Sequence, residues 1–349
     1  MIMRTFWDKQ PVPQEGIKYE NGQEIDKERE VATESQKLPN GFSWKVCSVE
    51  EAHPLLNEQY ISSDSSKIKY SLETLKWAAE SPGYENRGII RDETQELIGF
   101  ISSVPNKIRV CEDILSMVQI NFMCVHDDFR TMGFAPILIS EMKRIANTKG
   151  IWQAVFTAVT KIPTPIVKSR YWHRILNVKK LSDIGFYKVT NKTKQKYLEV
   201  CGTSQFRKMK TKDIPKVTII LQNHFKQFKI APVIDKEWVK RWVLPINSYV
   251  NDLDNTFISF YDIPNEMNDQ TYTIYQAYSF YMVGDVYNDA FLIAKNLGYD
   301  MFTTLDIGQS IHNLEKHKFL GGDGSIYYYL FNWLPSSSIS LEDVELKLP

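Results

Sequence analysis

Hydrophobic and polar positions follow two different periods along this chain, and the switches between them mark its elements. Leu97–Val110 (LIGFISSVPNKIRV) and Ser116–Val125 (SMVQINFMCV) crowd β-branched and aromatic residues into runs of strand length and predict two strands. Ala135–Thr148 (APILISEMKRIANT) spaces its apolar residues every three or four positions, which predicts a helix. Gly150 stands just past its end, where a left-handed cap belongs. Trp152–Val159 (WQAVFTAV) predicts a third strand, and Glu51–Tyr60 and Ser71–Ala79 predict helices upstream. Residues 11–41 are largely polar (PVPQEG, NGQEIDKEREVATESQK) and predict an extended arm wrapping a body that begins near LPNGFSWKVC.

The order then recurs. FISSVPN at 100–106 is echoed by FISFYDIPN at 257–265, QINFMCV by QAYSFYMV, the helix by NDAFLIAKNLG, and WQAVFTAV by DMFTTLDI. Two copies of one α/β unit, joined near 195–212 and packed through a pseudo-twofold axis, account for this; chance recurrence of a common strand–helix–strand pattern is the alternative. The predicted fold class is α/β with a mixed sheet. Its divisions are an arm at 1–37, a first unit at 38–195 and a second at 196–349.

The last nine residues, LEDVELKLP, carry a different signal. Val344, Leu346 and Leu348 alternate with Glu345 and Lys347, the period of a strand with one solvated face. Chain ends fray unless something ties them down. A last strand here would carry the α-carboxylate of Pro349 into the fold, where it can do chemistry.

Composition narrows the function. With 349 residues, 43% hydrophobic and 24% charged, the chain can fill two soluble domains. Lys+Arg and Asp+Glu balance at 42 each, so no net field favours nucleic acid or an anionic membrane. Cys47, Cys111, Cys124 and Cys201 are widely spaced, and the opening MIMRTFWDKQ lacks the apolar run of a signal peptide; both predict a cytoplasmic protein with reduced thiols. No apolar run nears the roughly 20 residues that span a bilayer.

The segment INFMCVHDDFRTMGFAP, 120–136, lies between predicted strand and helix. Arg130, Gly133 and Ala135 form an R-x-x-G-x-A turn, and Pro136 suits the helix's first turn, where a missing N–H costs nothing. Free N–H groups at such a helix start make a pyrophosphate site, and coenzyme A carries a pyrophosphate; a glycine doing plain turn chemistry is the competing reading. The second unit has VGDVYND there, with aspartates where an anion would sit, and predicts no phosphate site. The six histidines show no H-E-x-x-H or paired-cysteine spacing and no G-x-S-x-G elbow is present, which argues against a metal and a serine nucleophile. His173, in RYWHR, reads equally as a structural histidine and a substrate contact.

Several longer blocks carry a resemblance. FWDKQPVP (6–13), LPNGFSW (38–44), INFMCVH (120–126), RYWHRILN (170–177), AYSFY (277–281) and FLGGDGSIYYYLFNW (319–333) resemble, in order, blocks of the eukaryotic N-myristoyltransferase family, and the likeness spans essentially the whole chain. It implies two tandem GNAT-like units and transfer of a myristoyl group from myristoyl-CoA to an N-terminal glycine of a peptide or nascent protein, by a monomer without metal. It implies an oxyanion hole from the N–H groups of Phe122 and Met123, with Cys124 and Val125 continuing the acyl-CoA contact. Arg130, Thr131, Gly133, Phe134 and Ala135 would line the phosphates, and Thr5, Phe6 and Trp7 would close over the cofactor. Asn121 and Thr157 would hold the acceptor glycine. Tyr70, Tyr171, His173, Ser279, Asp323 and Asp64 would line the peptide groove, and the carboxylate of Pro349 would be the base.

Elementary chemistry fits these roles. An α-amine with pKa of about 7.7–8 must lose a proton before it attacks a thioester. Two successive N–H groups converge on one oxyanion only if the strand bulges after Asn121, which predicts a bulge there. The chain also departs from the family: Met132 and Gly133 stand where basic residues are common, ISSDSSKIKY is a shortened acidic loop with Lys67 and Lys69 behind Asp64, and Val159 follows Thr-Ala in place of glycine. Two alternatives stay open: another GNAT-type acyltransferase using a shorter acyl-CoA, and a non-catalytic module that binds acyl-CoA or lipid.

Overall fold

The computed structural model describes residues 6–14, 16–17, 21–60, 66–186, 199–267 and 272–349. The first half supplies strands β1 (Phe42–Val46), β2 (Glu85–Arg91), β3 (Leu97–Val110), β4 (Asp113–Val125), β5 (Gln153–Ala158) and β6 (Val167–Ile175). The second supplies β7 (Asn247–Val250), β8 (Phe257–Asp262), β9 (Gln276–Val283), β10 (Met301–Leu305) and β11 (Leu320–Phe331). The helices that matter below are α1 (Val49–Gln59), α2 (Leu72–Ala79), α3 (Phe134–Thr148), α4 (Ile214–Phe225) and α5 (Tyr287–Asn296). Their starts follow local chemistry: Ser48 and Glu51 form a reciprocal capping box on α1, and the Ser71 hydroxyl accepts from Thr74 N–H on α2. Gly150 follows α3 at φ +73°, as expected of a closing glycine.

The strands join one mixed sheet in the order β1-β2-β3-β4-β5-β11-β6-β10-β9-β8-β7, with Arg207–Lys208 at the far edge and Ile230–Pro232 paired beside β3. The repeat read in the sequence is a repeat of topology. In the first copy β3 and β4 are antiparallel, α3 crosses over, and β5 runs parallel to β4. In the second, β8, β9, α5 and β10 do the same. Each antiparallel pair has a register shift, at Ser102/Ser103 and at Ile258/Phe260.

Neither unit closes on its own strands. β11, from the second half, pairs with β5 on one side and β6 on the other, while β6, from the first half, pairs with β10. The main core therefore mixes both halves, with Leu75, Phe100 and Phe122 buried in the same cluster as Trp242, Tyr261, Phe280 and Tyr281. Interior packing of this kind couples the two units. The expected junction at 195–196 lies outside the described residues.

The arm is extended, as its composition predicts. Trp7 stacks on Phe156, which stacks on Tyr329. Asn332 clasps the arm from below: its Oδ1 accepts from Asp26 N–H (2.7 Å), its Nδ2 donates to Asp26 carbonyl (3.0 Å), and its N–H donates to Pro11 carbonyl (2.7 Å).

The tail corrects one expectation. Val344 makes a single bridge to Ile230, and Val344–Lys347 run in extended form with both faces covered. Glu345 and Lys347, expected on a solvated face, are 4% and 5% exposed. Alternation in sequence reports period, and cannot tell which neighbours arrive on the second face.

Candidate active site

The site grows from a break in the sheet. β4 and β5 pair only through Met117, Val118 and Gln119 against Gln153, Ala154 and Val155; beyond Gln119 the two strands part. The register of β4 against β3 slips at the same place, with Ser102 opposite Phe122 and Ser103 opposite Ile120. Asn121 is the extra residue, so the bulge lies where the oxyanion argument requires it. Phe122 buries its ring between Tyr60 (5.6 Å) and Tyr70 (5.5 Å), and the Tyr60 hydroxyl donates to Asn121 carbonyl at 3.3 Å. With that side chain locked in the core, the backbone of Phe122 and Met123 is held at the opening between strands.

A chain of side-chain amides runs from this bulge to the tail. Asn106 Nδ2 donates to Gln119 Oε1 (3.0 Å), Gln119 Nε2 donates to Asn121 Oδ1 (2.6 Å), and Asn121 Nδ2 donates to Ala78 carbonyl at the end of α2. Asn106 and Gln119 also line a cleft with Pro232, Trp238, Trp242, Lys347 and Pro349. The last residue thus ends one amide link from the bulge. Sequence reasoning missed Asn106, Gln119 and Lys347; the signal was two amides two positions apart, Gln119 and Asn121, inside an otherwise apolar strand.

A second group lies between β6 and β11. Tyr171 approaches Tyr278 (ring centres 6.4 Å apart), and Tyr60, Tyr70, Tyr261, Tyr278 and Tyr328 share the same interior, each hydroxyl pushed up by burial and so neutral. Burial pushes Tyr171 up to about 12. Of these, sequence reasoning singled out only Tyr70 and Tyr171. His173 Nδ1 lies 3.0 Å from Thr303 Oγ1, whose own proton goes to Gln276 Oε1 at 2.9 Å. Thr303 must then accept from His173, which leaves Nε2 as a lone-pair acceptor against Gly322. Burial pushes His173 down to about 4, opposed by Asp323. Asp323 itself is exposed, in the register shift between Gly321 and Ser325. Ser279 is fully buried and meets Lys347 Nζ at 3.4 Å.

The turn before α3 has the predicted form. Gly133 sits at φ +80°, and α3 starts from it with no side-chain cap and no acid in its first turn, leaving its first N–H groups open to an anion. Arg130 is tethered to Val125 and Gln59 carbonyls (3.2 and 2.7 Å) and pairs with Asp127 at 2.6 Å. These contacts fix the shape of the turn. The equivalent start of α5 carries Asp289, with Asp285 just before it paired to Lys316. Thr131 is exposed and Ala135 half-buried; Thr157 is half-buried on β5 opposite Tyr328. Phe6 is half-buried beside buried Trp7. Cys124 is buried and its thiol pushed up to about 12 by desolvation, which disfavours the reactive thiolate; Val125 is buried beside it. Thr5 and Asp64 lie outside the described residues. Among the described residues no group of acids, histidines and cysteines could hold a metal, and no helix is long and apolar enough to cross a membrane.

Two units, each an antiparallel strand pair with a register shift followed by a crossover helix and a parallel strand, joined by exchanged strands, define a tandem mixed α/β fold. Residues 23–169 match the N-terminal domain, and residues 174–345 the C-terminal domain, of Myristoyl-CoA:protein N-myristoyltransferase. Glycylpeptide N-tetradecanoyltransferase 2 of Bos taurus is 38% identical over 364 residues, covering 94% of this chain and 73% of that protein. Glycylpeptide N-tetradecanoyltransferase 1 of Arabidopsis thaliana is 35% identical, covering 91% and 82%. A crystal structure of Saccharomyces cerevisiae N-myristoyltransferase with bound myristoyl-CoA superposes with TM-score 0.87 at 28% identity, covering 97% of this chain and 92% of that one. The chain belongs to the N-myristoyltransferase family.

Proposed function

We propose that this protein is a glycylpeptide N-tetradecanoyltransferase, moving a myristoyl group from myristoyl-CoA to the α-amine of an N-terminal glycine. The observation that carries this reading is the bulge at Asn121, placed where β4 leaves its parallel neighbour and one amide link from the chain's end. Myristoyl-CoA supplies an activated thioester carbonyl. Phe122 and Met123 aim N–H groups at the oxyanion that develops there. Asn121 and Thr157 hold the acceptor glycine, and the Pro349 carboxylate takes its ammonium proton. The freed amine attacks the thioester carbon to give the tetrahedral oxyanion, and as that collapses to the amide the carbon–sulfur bond breaks and the nitrogen's second proton leaves with CoA as its thiol. A free α-carboxyl, with pKa of about 3.3–3.7, is a weak base, and partial burial strengthens it.

The open start of α3, with Arg130, Thr131, Gly133, Phe134 and Ala135, receives the phosphates, and the arm at 1–37 closes over the cofactor through Thr5, Phe6 and Trp7. Cys124 and Val125 continue the acyl-CoA contact. Tyr70, Tyr171, His173, Ser279, Asp323 and Asp64 line the peptide groove formed with the second unit, 196–349. The enzyme works as a cytosolic monomer on nascent or free Gly-initiated chains. Release of free CoA from myristoyl-CoA and from acetyl-CoA, each with a Gly-initiated peptide, tests the proposal: turnover with the long chain is expected. Preference for acetyl-CoA points to another GNAT-type transferase, and binding without turnover to a carrier.

A further inference from the structure

Glu345 and Lys347 are both buried within the last five residues, and the chemistry above uses neither. Burying a carboxylate and an ammonium is unfavourable even when they pair. Anchoring alone would not require them, because Val344 and Leu346 beside them are already buried in the main core. Their placement suggests a task for charge.

The geometry ties the pair to the cleft. Lys347 Nζ lies 3.8 Å from Glu345 Oε1 and 3.4 Å from Ser279 Oγ, and Lys347 N–H donates to the Tyr281 hydroxyl at 3.2 Å. Glu345 N–H donates to Ile230 carbonyl at 2.9 Å, and its carboxylate packs on Gly308, where a Cβ would collide with it. The other titratable groups facing the pair come from four elements: Tyr281 of β9, Tyr328 of β11, Tyr287 of α5 and His224 of α4. Burial holds all four neutral, so none offers either charge a counter-ion. Each is the other's only opposite charge among these groups.

Lys347 lines the same cleft as Pro349. An unpaired ammonium there would repel an incoming amine and weaken the terminal carboxylate as a base. An unpaired carboxylate would hold the substrate ammonium at the wrong oxygen. We propose that Glu345 and Lys347 are positioning residues for transfer: through Ser279 and Tyr281 they set the course of the last residues, and by cancelling each other they leave the terminal carboxylate as the only charge the amine meets. This rests on the reading of Pro349 as the base.

The test is a double-mutant cycle in the full chain, with myristoyl-CoA and a Gly-initiated peptide. Glu345→Gln strands the ammonium and should lower kcat about tenfold while moving the acidic limb of the kcat profile to lower pH. Lys347→Met takes away the counter-ion of a carboxyl that burial already pushes up to about 7, so Glu345 takes a proton and turns neutral, and that limb should stay near the parent's. The double variant E345Q/K347M should recover kcat to within about threefold of the parent, with its limb back near the parent's and myristoyl-CoA affinity unchanged throughout. A shift in E345Q alone is what a merely structural pair would not produce. An unmoved limb in a folded E345Q variant overturns the proposal, as does a folded double variant no better than E345Q. If neither single folds, recovery in the double decides. Residues appended after Pro349 of the unmutated chain report on the base separately: unchanged kcat there removes the base, whereas a crippled extended enzyme with an unmoved E345Q limb removes only the pair.

Discussion

Gln119 Nε2 donates to Asn121 Oδ1 over 2.6 Å, and this bond ties the residue that makes the bulge to the cleft that receives the end of the chain. Gln119 is itself fixed by Asn106, so the orientation of Asn121 depends on a relay of three amides.

Gln119→Leu should therefore lower kcat about tenfold and leave myristoyl-CoA affinity unchanged, because the phosphate turn is elsewhere. The stranded Asn121 amide should also cost about 1–3 kcal/mol of stability. Steady-state kinetics with calorimetry of CoA binding check this. A variant with weakened CoA binding and normal kcat would contradict the relay.

Deleting Lys347–Pro349, or appending a tag after Pro349, should reduce kcat by about 100-fold or more while acyl-CoA binding persists, since the base is displaced and α3 is untouched. A free solvated tail forecasts no effect. Single-turnover rates on both variants separate the two outcomes.

Gly308→Ala tests the seat of the tail. Gly308 is at φ +67°, and a Cβ there meets the Glu345 carboxylate and Val344 carbonyl. Backbone strain plus collision should cost about 2–4 kcal/mol, read as a fall in Tm, and should lower kcat with it.

Burial holds His173 at about 4 against an unfolded value near 6.5. A lowered folded pKa gives stability that is complete above pH 6.5 and lost as pH falls toward 4. His173→Gln should flatten that loss, by about 2–3 kcal/mol at pH 4 after allowing for partial exposure. Urea unfolding at pH 7 and pH 4 measures it; equal slopes for both proteins would refute the assignment.

Thiol labelling separates the cysteines. Cys201 is exposed, while Cys47 and Cys124 are buried with thiols pushed up to about 11 and about 12. A maleimide should take Cys201 first and leave turnover intact, with Cys124 reacting only in denaturant. Cys124→Ala should retain transfer. Loss of transfer with CoA binding intact would revive an acyl-enzyme.

Much of the architecture was legible in one dimension. The period of the apolar residues placed β3 at Leu97–Val110 and α3 within a residue of Ala135–Thr148, and the echo of QINFMCV in QAYSFYMV announced the duplicated topology. The bulge at Asn121 followed from asking what two successive N–H groups need. The exchange of β6 and β11 was not legible, because strand pairing between residues 150 or so apart leaves no periodic trace.

Local sequence determined the elements, their caps, the turn at Gly133 and the recurrence of one unit, since these depend on neighbours within a few residues. Tertiary structure alone decided that Glu345 and Lys347 are inside, that six tyrosines from distant segments converge, and that Pro349 ends beside Gln119. Burial and charge are properties of everything that packs around a residue. In this fold, the tail meets Ile230, Ser279 and Tyr281 of β9, and Gly308, all distant from it along the chain.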